Sequence, residues 1–313
     1  SSTGNSAVYL PNPLIPQGEA KALPSIRVES KDINKKRGTL GYGGKGDKPH
    51  LGGFTEIDLD GISPTVWKYL IEFYGIKSIL DLGCGRGFST LFFYLHGVDV
   101  ICAEGSHDAV QQSVVPDADK HIVEHDFSRG PWWPSRTVDA VWCIEFTEHV
   151  ERNFINNYLP ALRKAAFIFI SHSQWGGWHH VEVHDNIWWK AKWESLGFIF
   201  QPELTELLKN QAEAETAAKI TSPNGEPYFP QHLWTNIQVF INPAVASLPQ
   251  HAHLMAEPGC FKERIEDKNV VEDCGDKSAL PDHFKPLQID DEMYNEWFHI
   301  VQRNVRKSEK RDD

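Results

Sequence analysis

Short apolar runs alternate with amphipathic stretches through the middle of this chain. Ser78 to Cys84 (SILDLGC), Asp99 to Glu104 (DVICAE), His121 to Phe127 (HIVEHDF), Val138 to Glu145 (VDAVWCIE) and Ala165 to Ser173 (AAFIFISHS) have the character of strands buried on both faces. Between the first two, Phe88 to His96 carries helical spacing and stops at Gly97. Asp185 to Leu196 predicts a helix with Asp185 as N-cap, Trp189, Trp193 and Leu196 on one face, and Gly197 as C-cap. Phe198 to Phe200 adds a sixth strand and His232 to Asn242 (HLWTNIQVFIN) a last one. The helix Glu203 to Lys219 between them has an Ala-, Glu- and Lys-rich lower half that reads as solvated. Ser63-Pro64 opens a further helix, Thr65 to Tyr74, ahead of the first strand. This rhythm predicts an α/β fold, a Rossmann-like, mostly parallel sheet with helices on both faces and ligands at the C-terminal ends of its strands.

The ends differ from this middle. Residues 1–60 hold several prolines and the run RGTLGYGGKGDKPHLGGF (37–54), too glycine-rich for a core element, and predict an arm or lid. Residues 61–242 form the main domain, and 243–313 a polar extension with a helix from Asp290 to about Val305.

Composition narrows the function classes. With 313 residues, 41% of them hydrophobic, the chain can bury a full core. A net charge of -12 argues against a protein whose task is to cover a nucleic-acid backbone. No apolar run is long enough to cross a membrane and no signal-peptide pattern is present, so the expectation is a soluble protein, cytoplasmic rather than lumenal. The start at Ser1 rather than Met adds the expectation of a processed chain. Cys84, Cys102 and Cys143 fall in predicted buried strands and read as small core residues, whereas Cys260 and Cys274 stand in a charged stretch and could pair in an oxidising compartment.

The most informative segment is Asp81 to Thr90 (DLGCGRGFST), with glycines at 83, 85 and 87 where a strand meets a helix. A dinucleotide-binding GxGxxG would need glycine at 88, which is Phe88, and a P-loop would need Gly-Lys-Ser/Thr where Phe88-Ser89-Thr90 stands. Three acids close successive strands around this turn: Asp81 itself, Glu104 and Asp126. A carboxylate at 104 can accept two hydrogen bonds from a ribose diol.

Candidate chemistry gathers after the fourth and fifth strands. EFTEHV places Glu145, Glu148 and His149 at i, i+3 and i+4, on one face if a helix begins there. SHSQWGGWHHVEVH brings His172, His179, His180 and His184 to the same end of the sheet. Glu145, Glu148 and His149 with His180 offer a mixed oxygen and nitrogen set for Mg²⁺ or Mn²⁺; alternatively the acids cap the loop and His179 or His180 alone acts as base. Eight of the eleven tryptophans lie between 132 and 193. Trp142, Trp188, Trp189 and Trp193 read as core, and the loop residues Trp132, Trp133, Trp175 and Trp178 as walls of a substrate pocket, where flat rings stack on sugars or cations.

DxGxGxG resembles motif I of the class I S-adenosylmethionine-dependent methyltransferases. The resemblance implies a seven-stranded sheet with the last strand antiparallel, and S-adenosylmethionine held by Asp81, Gly83, Gly85 and Gly87, with Glu104 on the ribose and Asp126 and Phe127 at the adenine. ExxEH is similar to the metal-binding segment of small-RNA 2′-O-methyltransferases and of ubiquinone-pathway O-methyltransferases. CIEFTEHV with HSQWGGWHHVEVHDNIWWKAKWESLGF is similar to stand-alone methyltransferase-like proteins of microbial eukaryotes, over roughly residues 37 to 260. This chain has His-Val-Glu where a related bacterial form of the loop has His-Val-Asn. The implied activity is O-methylation of a sugar hydroxyl or other small polar acceptor, with a small molecule or glycan as partner. The alternatives are S-methylation of a thioether acid, small-RNA 2′-O-methylation, and a non-catalytic subunit that keeps the cofactor fold.

Overall fold

Burial of both sheet faces follows from how little polar surface the strands carry: Val138–Cys143 and Ala165–Ile170 are buried along their whole length. The computed structural model describes residues 15–27, 46–51, 57–254, 264–266, 269–271 and 291–309. The main strands are β1 (Ser78–Leu82), β2 (Asp99–Glu104), β3 (Ile122–Glu124), β4 (Val138–Cys143), β5 (Ala165–Ile170), β6 (Ile199–Phe200) and β7 (Gln238–Ile241). They form one sheet in the order β3-β2-β1-β4-β5-β7-β6. All pairs are parallel except those of β7, which runs antiparallel to both β5 and β6. The order reverses between β1 and β4, and the crevice that opens there at the strands' C-terminal ends is the place such sheets bind ligands.

The helices are α1 (Pro64–Glu72), α2 (Phe88–Leu95), α3 (His107–Gln111), α4 (Ala118–His121), α5 (Ile155–Leu162), α6 (Asn186–Ser195), α7 (Pro202–Ala218), α8 (Gln231–Asn236), α9 (Pro243–Ala246) and α10 (Glu292–Glu309). Ser63 caps α1, with Pro64 at its first position. Asp185 caps α6 by accepting from Trp188 N at 2.8 Å. On one sheet face Trp67, Phe92, Phe93 and Trp142 pack with Trp297 of α10; on the other Trp132, Tyr158, Trp189 and Trp193 fill the layer.

Three expectations change. His232 to Asn242 is not one strand: Pro230 precedes a helical turn in which Leu233 and Ile237, four apart, are both fully buried, and β7 begins only at Gln238. The lower half of α7 is solvated on one face only: Glu213, Ala217 and Ala218 are exposed, but Gln211, Ala212 and Glu215 are buried where it crosses α1, and Glu215 accepts a hydrogen bond from the Ser63 hydroxyl. Cys84 and Cys102 are not independent core residues. The turn after β1 folds back onto β2 and joins them in a disulfide, with Cα atoms 5.9 Å apart. Cys143 is free and buried, and Cys260 and Cys274 lie outside the described residues.

The described parts of the arm lie on the domain. Leu23 N donates to His125 Nδ1 at 2.9 Å, and Asp126 N donates to Leu23 O at 3.0 Å, strapping residues 15–27 to the edge of the sheet. At the other end, Trp297 of α10 donates to Phe88 O at 2.7 Å. Among the described residues no helix is long and apolar enough to cross a membrane.

Candidate functional site

The glycine turn takes a path that side chains would block. Gly83 sits at φ +78°, and a Cβ there would come within 2.7 Å of the Phe146 ring. Gly87, at φ +81°, begins α2, and a Cβ there would meet Val115 at 2.5 Å. Gly85 lies at φ +56°, also in the left-handed region. Asp81 is buried, and its Oδ2 accepts from the Ser89 and Thr90 hydroxyls at 2.5 and 2.7 Å, which ties the first turn of α2 to β1. Burial raises its pKa to about 6 against those hydroxyls.

Glu104 holds the same turn from β2. Its Oε2 accepts from Gly85 N and its Oε1 from Ser106 N, both at 2.7 Å. The carboxylate lines both cavities of the site. Burial pushes it to about 7, opposed by the backbone N–H groups. Asp126 follows β3. His50 Nε2 donates to its Oδ1 at 3.0 Å and Ser128 N at 2.9 Å, while its Oδ2 is buried with no hydrogen-bond partner among the described residues. Burial works against its charge, but these donors hold its carboxyl below the usual range.

Two adjoining cavities meet at Gly83, Glu104, Glu145 and His149. One, of about 340 Å³, is bounded by Asp126, Phe127, Phe146, His50, Leu51 and His179. The other, of about 370 Å³, runs from the glycine turn past Trp178 and His180 to Asp58, Asp60 and His232. The segment from 46 to 51 was legible in the sequence only as part of a lid. His50 and Leu51 carry no signal there that marks them as pocket residues.

The ExxEH segment does not form one helical face. Glu145 takes a left-handed φ of +50° and only Thr147–His149 closes a 3-10 turn. Glu148, His149 and His180 therefore converge, with candidate ligand atoms within 4.8 Å of one another. Glu145 touches that trio only through the Glu148 carboxyl: its Oε1 accepts from Ser171 Oγ at 2.9 Å and its Oε2 lies 3.5 Å from His232 Nδ1. Glu148 is fully buried; Ser173 N donates to its Oε1 at 3.2 Å, and its Oε2 accepts from no N–H or hydroxyl group. Burial pushes both glutamates up; the Glu148 charge adds to the rise at Glu145, whereas at Glu148, which reaches about 7, a hydrogen bond with the Glu145 carboxyl works against it. Burial, with His180 and His179 nearby, lowers His149 to about 4, so its ring is neutral.

The WGGWHH loop divides its residues between the cavities. Val181 N donates to Glu148 O at 2.8 Å, which fixes the loop over the 3-10 turn. His180 Nδ1 donates to Trp175 O at 2.7 Å, so in the neutral ring the lone pair sits on Nε2. His180 and Trp178 line the larger cavity, and His179, at φ +50°, lines the smaller. His172 is buried against Trp189 and outside both, and His184 stacks on Trp188 at 3.6 Å beside Glu182 and Arg152.

Of the four loop tryptophans, only Trp178 faces a cavity. Trp132 is 1% exposed and packs in the core against His125, because the chain after β3 turns inward there. Trp133 lies under the strap, its indole donating to Gln17 O and Gly18 O at 3.3 and 3.2 Å. Trp175 is 75% exposed; its carbonyl, rather than its ring, serves the site.

Residues 80–170 match the methyltransferase domain family described as "Methyltransferase domain". No curated protein matches the chain. Among solved structures, a SAM-dependent methyltransferase from Archaeoglobus fulgidus is 21% identical, with a TM-score of 0.34, over 42% of this chain and 65% of its own. The chain thus spans under two thirds of that protein's length. The methyltransferase domain of bacterial CtHen1 is 17% identical, with a TM-score of 0.36, over 57% of this chain and 96% of its own. The plantazolicin methyltransferase BpumL, seen in complex with SAH, is 13% identical, with a TM-score of 0.26, over 78% of this chain and 76% of its own. The sheet order β3-β2-β1-β4-β5-β7-β6 is that of the class I methyltransferase fold, and residues 80–170, which span its central strands, match the methyltransferase domain family.

Proposed function

We propose that the chain transfers the methyl group of S-adenosylmethionine to a hydroxyl of a small polyhydroxylated or carboxylated acceptor, a glycan included. The observation that carries this reading is the Nε2 lone pair of His180, in the same cavity as the glycine turn. In this reading the amides of Gly83, Gly85 and Gly87 border the methionine portion, and Glu104 accepts from the ribose. The unpartnered Oδ2 of Asp126 takes the adenine amino group, with Phe127 beside the base. The cofactor, when bound, supplies a methyl on a sulfonium for in-line displacement. The protein has to align the acceptor, exclude water and take up one proton. Trp178 offers a stacking face, and His180 Nε2 takes the hydroxyl's proton as the C–O bond forms.

Glu148, His149 and His180 also fit a divalent ion: a buried carboxylate oxygen without a donor, a neutral imidazole and a second imidazole with a free lone pair. Mg²⁺ or Mn²⁺ held there would supply Lewis acidity toward the acceptor oxygen. His180 Nε2 fills one role at a time, so metal dependence decides between ligand and base.

S-methylation of a thioether acid is the second reading. Trp178 opposite Asp58, Asp60 and Glu145 suits a sulfonium product, and a thioether needs no base. Small-RNA methylation is disfavoured by the net charge of -12. Mass spectrometry of acceptor pools after incubation with S-adenosylmethionine tests these readings. Methylated hydroxyl acceptors support the first, sulfonium products the second, and cofactor binding without any methylated product a non-catalytic role.

A further inference from the structure

A second set of donor atoms lies in the larger cavity, away from Glu148. Asp60 lies within the 3-10 turn Leu59–Gly61, and Asp58 Oδ1 caps that turn by accepting from Asp60 N at 3.1 Å. That leaves Asp58 Oδ2 pointing at α8, where it lies 3.5 Å from His232 Nε2. The other ring nitrogen lies 3.5 Å from Glu145 Oε2. One atom from each of Asp58, Asp60 and His232 falls within 4.8 Å of the others. Three carboxylates thus surround one imidazole, in a cavity that must also admit an acceptor. Against burial, these carboxylates hold His232 up to about 9, so an ion here displaces the ring proton as it binds; two carboxylates and the freed ring nitrogen are then the mixed oxygen and nitrogen set a small divalent ion takes.

We propose that Asp58, Asp60 and His232 form a second divalent-cation site, with Glu145 at its edge, at the acceptor end of the larger cavity. The donors come from the segment before α1 and from α8, whereas Glu148, His149 and His180 come from the segment after β4 and the loop after β5. Two carboxylates and one imidazole leave half of an octahedral shell open. Resting on the O-methylation reading, those positions suit a pair of neighbouring acceptor oxygens, a vicinal diol or an α-hydroxy carboxylate. An ion there would orient the acceptor from the side opposite His180.

Mn²⁺ alone is the probe, titrated into the chelator-treated full chain and followed by calorimetry and electron paramagnetic resonance. The expected stoichiometry is two per chain. Asp60→Asn and His232→Gln should each remove one, weakening it at least ~10-fold, while Glu148→Gln and His149→Ala remove the other. Thermal melts and binding of the demethylated cofactor report whether each variant is folded, and either of the first two is sufficient. If the Glu148 cluster holds no ion, uptake falls to one, lost in Asp60→Asn and kept in His149→Ala, and this proposal stands alone. Uptake unchanged by both Asp60→Asn and His232→Gln, or no uptake by the wild type at millimolar Mn²⁺, overturns it.

Discussion

His50 Nε2 donates to Asp126 Oδ1 at 3.0 Å, joining a residue of the N-terminal arm to the acid that closes β3. Because that oxygen also accepts from Ser128 N, the carboxylate is fixed with Oδ2 left for a ligand. His50→Ala should therefore weaken binding of the demethylated cofactor by about 1 kcal/mol, roughly 5-fold, with Asp126→Ala costing more. Calorimetry giving equal affinity for wild type and His50→Ala would remove His50 from the site.

Glu104 makes cofactor affinity depend on pH. Its folded pKa of about 7 lies above the ordinary value, so below pH 7 the group carries a proton that must leave before two ribose hydroxyls can donate to it. Affinity should rise between pH 6 and 8, by up to ~10-fold per unit below the pKa, with proton release on binding. The same sign applied to stability makes Glu104's contribution to the unliganded fold fall as pH rises from 4.5 through 7. Glu104→Gln should flatten the binding profile, and a wild-type profile flat across this window would contradict the assignment.

Metal removal separates the two roles open to His180. If Glu148, His149 and His180 hold an ion, turnover vanishes in chelator, returns with Mg²⁺ or Mn²⁺, and Glu148→Gln behaves like chelator. Full turnover in excess chelator would leave Glu148 as the buried anchor of the loop that it already is through Val181 N.

The histidine pair should split. His180→Ala is expected to lower kcat by roughly 10² to 10⁴ with cofactor affinity little changed. His179→Ala acts on the smaller cavity, with a modest change in cofactor affinity. Trp178→Ala should raise the acceptor KM with kcat nearly intact. Steady-state kinetics showing both histidine variants at wild-type turnover would move the reading to thioether methylation.

Trp132→Ala should act on stability alone. The ring is 1% exposed inside the Tyr158, Trp189 and Trp193 layer, so its loss costs about 3–5 kcal/mol and leaves acceptor KM unchanged. A Trp132 variant with normal melting and raised KM would return this residue to the pocket.

The sequence by itself determined the parallel strands and the glycine turn, because these depend on local patterns: apolar runs such as AAFIFI, and glycines at 83 and 87, where side chains would collide with Phe146 and Val115, with a third at 85 in the left-handed region. The three acids at strand ends were legible for the same reason, since each follows an apolar run. Tertiary structure decided what each loop residue faces. Spacing placed Glu145 with Glu148 and His149, but a left-handed backbone at 145 turns it toward Ser171 and His232. Spacing put His232 in a strand, yet Leu233 and Ile237 bury as a helical pair and swing His232 into the cavity. Trp132, Trp133, Trp175 and Trp178 look alike in sequence, and only long-range packing separates one pocket wall from a core ring, a strapped ring and an exposed one. His232 lies more than 170 positions from Asp58 and Asp60 along the chain. Nothing local joins residues that far apart, so only the folded chain brings them together.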